Sequence, residues 1–234
     1  MIKFVNAGLT YPNLATGLKG VNLHIEKQEF AFIVGPTGGG KSSLLKLIYR
    51  DTVATEGKVI VFNKDISSLR MREIPYYRRR VGVIFQDFLL LPQKTAFDNV
   101  AYALHIRGAT QRQISTLVPE VLDWIGLSRK LKSYPTEMSG GEQQRLCIAR
   151  AIVNKPDILL ADEPTGNLDP DTSLEIMELI TRINERGTTV LVATHDASIV
   201  NRFRRRTLVV RNGELYADRR EGGYHEGPGE GTHA

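Results

Sequence analysis

"GPTGGGKS", residues 35–42, is the stretch on which the reading of this chain turns. It fits the pattern G-x-x-x-x-G-K-[ST], with Gly35, Gly40, Lys41 and Ser42 in their required places. An apolar, strand-like run, "FAFIVG", leads into it, and "GKSSLLKLIYR" leads out with leucines and an isoleucine spaced to bury one helix face. Strand, glycine loop and helix in that order predict a phosphate cradle rather than a flexible turn. Backbone N–H groups from Gly38 to Ser42 can wrap phosphate oxygens because few side chains intrude, and Pro36, Thr37, Gly39 and Ser43 complete the candidate contacts. Lys41 supplies a point charge for β and γ oxygens, and the Ser42 hydroxyl is a hard ligand for magnesium.

Two further apolar runs end in chemistry-bearing side chains. "ILLADEP" delivers Asp162, suited to hold magnesium, and then Glu163, suited to orient or activate a water. Alone this is a weak signal; paired with the cradle upstream it is a strong one. "VLVATHD" ends in His195 in the same way, at a position that favours function over the more usual structural histidine. "MSGGEQQR", residues 138–145, is a second glycine-rich turn that opens a helix. Taken alone, the octapeptide reads equally as an ordinary capped helix.

Outward from these motifs the chain alternates. "IKFVNAGLTY", "VNLHIE", "KVIVF" and "VGVIF" read as strands, and "AFDNVAYALHIRG", "QISTLVPEVLDWIGL" and "GEQQRLCIARAIV" as helices. Alternation resumes through "DILLAD", "TSLEIMELITRINERG", "TVLVAT" and "LVVRNGELY", which predicts an α/β core with an inserted helical lobe. No internal repeat occurs, so each motif is present once. The glycine-rich stretch 221–234 is expected to be a disordered tail.

Composition, 41% hydrophobic and 24% charged, is that of a soluble protein, and no apolar run approaches a membrane span or a signal peptide. A single cysteine, Cys147, excludes an internal disulfide and suits a small buried apolar position. The net charge of +5 is concentrated at "RRR" (78–80) and "RFRRR" (202–206). These clusters are expected mainly as solvated surface; the sharper reading is a dock for anionic lipid or an acidic partner. No nucleic acid is expected, because no aromatic stacking platform accompanies the arginines.

Taken together, "GPTGGGKS", "ILLADEP" and "MSGGEQQR" resemble the ATPase subunit of ABC (ATP-binding cassette) proteins, and the likeness covers nearly the whole chain. The resemblance implies a single domain over residues 1–220, an α/β P-loop NTPase with a mixed-sheet core (about 1–94 and 155–220). It further implies an N-terminal antiparallel β subdomain and an inserted helical subdomain (about 95–154). It implies that Tyr11 in "LTYPN" stacks on adenine, and that Gln86 in "VIFQD" senses magnesium and the γ-phosphate. Asn167, Leu168 and Asp169 match the D-loop, and His195 the switch histidine at the γ-phosphate. It also implies that Ser139, Gly140 and Gly141, with Glu142 beside them, close over ATP held by a second copy, so that the ATP-bound state is a homodimer with two composite sites. Met138 departs from the commoner leucine, Ser43 from a frequent threonine, and Gly39 adds a third consecutive glycine. None removes a donor, charge or carboxylate, so hydrolysis of ATP to ADP and phosphate is expected, with Mg2+ held by Ser42, Gln86 and Asp162.

Within the family, "RRRVGVIFQDFLLLPQKTAFDNVAYAL" and "LLADEPTGNLDPDTS" are similar to the branch that works with a membrane protein in cell division. Related branches serve lipoprotein release (LolD) and export (MacB). The likeness implies an integral membrane partner docking near Phe88–Pro92 and holding the chain at the cytoplasmic face of the membrane. Phe88 and the three leucines after it either form a groove for a partner helix or pack the helical lobe against the core.

Overall fold

Continuous apolar runs become buried parallel strands in the computed structural model, which describes residues 1–220 and Gly223. The tail expected over 221–234 therefore lies, Gly223 apart, outside the described residues. In chain order the elements are β1 (Ile2–Thr10), β2 (Thr16–Ile25), β3 (Phe30–Val34), α1 (Lys41–Ile48), β4 (Glu56–Val61) and β5 (Lys64–Asp65). There follow α2 (Ile74–Arg78), β6 (Val81–Ile84), α3 (Ala96–Arg107), α4 (Gln111–Trp124), α5 (Gly140–Ile152), β7 (Ile158–Asp162) and α6 (Pro170–Glu185). The chain closes with β8 (Thr189–Ala193), α7 (Ala197–Phe203), β9 (Arg206–Arg211) and β10 (Glu214–Arg219). These group into two compact units, one made of Met1–Ile74 and the chain from Thr189 onward, the other of Pro75–Thr188.

The first unit holds the N-terminal antiparallel sheet, in the order β2-β1-β4-β5. In β1, Ile2 and Phe4 point inward, then the phase slips so that Ala7 and Leu9 are buried instead. The slip is a bulge at Asn6 (φ 47°), against which Gly57 packs so closely that a Cβ there would lie 2.1 Å from the Asn6 carbonyl oxygen. The same unit carries β10-β9-β3-β8, with β3 parallel to both β8 and β9. Every residue of β3 and β8 is buried, as an interior parallel strand requires. The segment "LVVRNGELY" is two strands, not one: β9 and β10 form a hairpin that turns at Asn212 and Gly213, both at positive φ.

The second unit pairs β6 with β7 in parallel; α5 packs against β6, and α3, α4 and α6 pack against α5. Helix α6 buries Ser173, Ile176, Met177, Leu179, Ile180 and Ile183, the spacing of one apolar face. Among the described residues no helix is long and apolar enough to cross a membrane.

The arginine clusters are less plainly solvated surface than expected. Arg206 forms ion pairs with Asp218 and Glu29 and donates to the His24 carbonyl, so Asp218 and then Glu29 raise its pKa. Arg80 pairs with Asp157 at 2.7 Å, and Arg79 donates to the Ile106 carbonyl while covering the Tyr76 ring. Each of these ties neighbouring elements within its own unit.

Candidate active site

In the first unit β3 ends at Val34 and the glycine loop begins. Gly35 (φ 146°), Gly38 (φ 75°) and Gly40 (φ 113°) adopt backbone conformations that other residues rarely do. A Cβ on Gly35 would sit 2.0 Å from the Val210 carbonyl oxygen, whereas one on Gly38 would meet nothing within 4 Å. The loop is thus pressed onto β9 at its start and open at its middle. Lys41 is buried and donates to the carbonyls of Gly35 (2.9 Å) and Pro36 (3.2 Å), so the loop curls round its own lysine. Gly40 caps α1 without a side-chain hydrogen bond, which leaves only about a few tenths of a kcal/mol unrealised and frees the first-turn N–H groups for a ligand. Of the expected donor run, the Gly39 N–H is committed to the Pro36 carbonyl at 3.0 Å.

Tyr11 is half-buried, and its hydroxyl meets the buried Ser43 hydroxyl at 3.0 Å. Ser43 thus braces the tyrosine from the helix behind the loop. His195 follows β8 directly, and the Thr194 N–H continues the parallel ladder to the Ile33 carbonyl (3.0 Å). Extending the Ile33–Ala193 register by two residues sets His195 opposite Gly35. It is exposed there, just before Asp196 caps α7.

In the second unit the β6–β7 register is Val81 to Ile158 through Ile84 to Ala161. Continued past the strand ends it sets Phe85 opposite Asp162 and Gln86 opposite Glu163, so three candidate residues leave the sheet at one edge. Glu163 has φ 48°, a conformation that costs a non-glycine residue about 1–3 kcal/mol and collects at functional sites. Ser42, Gln86 and Asp162 offer a hydroxyl, an amide oxygen and a carboxylate. That hard oxygen set suits magnesium, which uses one or two carboxylates plus substrate phosphates. Among the described residues no group of three or more His, Cys, Asp or Glu could hold a metal ion.

The turn of "MSGGEQQR", the signature loop of the family that the chain resembles, opens α5. Ser139 and Glu142 form a reciprocal capping box: the Ser139 hydroxyl accepts from the Glu142 N–H (3.2 Å), and Glu142 accepts from the Ser139 N–H (2.9 Å). The Ser139 hydrogen bond, aided by Lys130 at 3.0 Å, holds the Glu142 carboxyl below its ordinary range. The box leaves Gly140 and Gly141 as the residues whose N–H groups point out of the helix start. Their surroundings differ. A Cβ on exposed Gly140 would be 3.4 Å from Leu168, an ordinary contact, whereas one on Gly141 would strike the Thr172 methyl at 2.6 Å. Asp169 is the N-cap of α6, and the Thr172 hydroxyl, then the Thr172 N–H at 2.9 Å, hold its carboxyl below the ordinary range. D-loop and signature loop are therefore packed together in one unit.

The segment after Gln86 carries Phe88 and Leu89 at φ 57° and 48°. Leu89 is 56% exposed, while Phe88, Leu90 and Leu91 are half-buried. Three residues that sequence reasoning passed over, Asn99, Arg150 and Gln144, hold loops of this unit, two of them the segment after Gln86. Asn99, fully buried on α3, binds the backbone of Leu91, Lys94 and Thr95. Arg150 on α5 donates to the carbonyls of Phe88 and Leu89, and buried Cys147 donates to that of Phe88. Gln144, 1% exposed, donates to the Pro164 carbonyl at 2.7 Å. A polar residue on an otherwise apolar helix face was the signal available for Asn99 and Gln144.

The ABC transporter family model matches residues 18–166. The chain is 49% identical over 214 residues to the cell division ATP-binding protein FtsE of Streptococcus pneumoniae, covering 92% of this chain and 93% of that protein. It is 46% identical over 224 residues to FtsE of Bacillus subtilis, covering 96% and 98%. A dimeric post-hydrolysis structure of the ATP-binding cassette MJ0796, bound to ADP and Pi, superposes with a TM-score of 0.86 at 38% identity, covering 96% of this chain and all of that one. The chain belongs to the ABC transporter family of ATP-binding cassettes.

Proposed function

We propose that this chain is the ATP-hydrolysing subunit of an FtsEX-type complex, in which ATP-driven pairing of two copies moves an FtsX-type membrane partner and so regulates cell-wall hydrolysis in division. The cell-division designation of the relatives above favours this over lipoprotein release or export. The observation that carries hydrolysis is that β7 ends on Asp162 with the strained Glu163 next, beside parallel β6, whose C-terminal end leads to Gln86. Tyr11 stacks on adenine, the loop from Gly35 to Ser43 holds the phosphates, and Lys41 exchanges loop carbonyls for phosphate oxygens. Ser42, Gln86 and Asp162 hold Mg2+, which when bound neutralises charge on the phosphates. Glu163 orients the attacking water and His195 donates to the γ-phosphate. Ser139, Gly140 and Gly141, with Glu142 and Asp169 shaping the loop, close over the nucleotide of the second copy; the dimeric state of the MJ0796 cassette supports this arrangement. The partner docks near Phe88–Pro92, which holds the chain at the cytoplasmic face of the membrane.

The test is Glu163→Gln in the purified chain. It should lower ATP turnover by about 100-fold or more while ATP now drives a dimer stable to gel filtration. Turnover at the parent rate would remove Glu163 from the chemistry.

A further inference from the structure

Four non-glycine residues between Pro75 and Thr188 have positive φ: Phe88, Leu89, Lys155 and Glu163. Three of them flank the proposed chemistry, and their neighbourhood is held each time by a side chain of α5. Gln144, in the second turn, donates to the carbonyl of Pro164, the residue after Glu163. Arg150, in the last turn, donates to the carbonyls of Phe88 and Leu89, two and three residues after Gln86, with Cys147 sharing the first. Both arrangements are disfavoured by burial alone. The Gln144 Oε1 is buried without a protein partner, and turning the amide over would set oxygen against oxygen, so the donor is fixed by the Pro164 carbonyl it serves. Burial likewise lowers the pKa of Arg150. A core selected for stability alone would carry an apolar residue in place of Gln144.

We infer that Gln144 and Arg150 are positioning residues: a buried and a half-buried donor on α5 that lock the strained backbone beside Glu163 and beside Gln86. The same helix begins at the exposed Ser139 and Gly140, so one rigid element joins the loop offered to a second copy with both chemistry-bearing loops of its own unit. The inference rests on the roles proposed above for Glu163 and Gln86.

The experiment measures steady-state ATP hydrolysis and thermal unfolding of the full chain carrying Gln144→Met, which keeps the length and removes the donor. The expected result is a kcat about 10- to 100-fold lower, with KM for ATP within about twofold and the melting temperature little changed. Arg150→Lys should also lose kcat but less than Arg150→Ala, because one ammonium serves both carbonyls less well than a planar fork. If Gln144→Met does not fold, the Arg150 variants, at a half-buried position, carry the same test. A parent-like kcat in a folded variant, or a loss of turnover that only tracks the loss of folded protein, overturns the inference. The two readings fail separately: Glu163→Gln turning over at the parent rate removes the catalytic assignment, whatever Gln144 does.

Discussion

Glu142 shows how one side chain fixes a loop without touching the chemistry. Its carboxylate accepts the Ser139 N–H and meets Lys130, and both depress its pKa from the ordinary 4.5. A depressed carboxylate contributes stability that is complete above 4.5 and is lost as pH falls through the lower, folded value. Glu142→Gln keeps an acceptor for the Ser139 N–H, because a capping box works with either residue, but gives up the ion pair. The pair is partly exposed, so the loss should be only about 0.5 kcal/mol. Melting curves should therefore separate the two proteins slightly at pH 7 and converge as pH falls from 4.5 through the lower, folded value. A gap that persists at low pH would mean the carboxylate acts through shape rather than charge. Cys147 illustrates a residue legible from composition alone: a lone cysteine was expected to be a small buried side chain, and it is 1% exposed with its thiol pushed up to about 12 by burial.

At the scale of elements, α1 and α5 both begin with glycines and solve the start of a helix in opposite ways. Helix α1 has no side-chain cap, whereas α5 carries a complete capping box, so its two glycines have other reasons to be there. Gly141 is required by its own chain, because any Cβ strikes Thr172. Gly141→Ala should destabilise, since overpacking at about 1–3 kcal/mol outweighs a helix-propensity gain of up to about 1 kcal/mol. Thr172→Ser removes the offending methyl, so the double variant should recover the parent melting temperature; failure to recover would place the strain elsewhere. Gly140→Ala meets no such clash and should melt no lower than the parent while weakening ATP-driven association. Sequence could not separate the two glycines, because the difference lies in α6, thirty residues away. The parallel strands and the cradle were legible because burial on both faces writes a continuous apolar run. The bulge at Asn6 and the hairpin at Asn212–Gly213 were missed because one residue of phase, or one tight turn, leaves little trace in periodicity.

For the whole molecule the issue is which copy's signature loop serves which copy's nucleotide. Candidate residues for phosphate binding, Lys41 among them, lie in one unit, and the signature loop lies in the other, opened by a helix that is already capped. Sequence ordered these stations but could not reveal that α5 also grips the loops after Gln86 and Glu163, since hydrogen bonds to backbone carbonyls carry no residue code. If the signature loop acts on a second copy, two defects on different chains must complement. Lys41→Ala removes the charge that meets the phosphates but leaves a sound signature loop. Gly140→Asp puts a carboxylate where the other copy's γ-phosphate approaches, yet should leave nucleotide binding by the single chain intact. Each variant alone should be inactive as a homodimer. Mixed in equal amounts, half of the pairs are hybrids with one intact site of two, so turnover should return to about a quarter of the parent rate. Should hydrolysis need both sites at once, the hybrids would still associate on adding ATP while neither variant alone does. A mixture that neither hydrolyses ATP nor associates better than its parts would place the signature loop on its own chain's nucleotide, and the dimer would lose its role in the reaction.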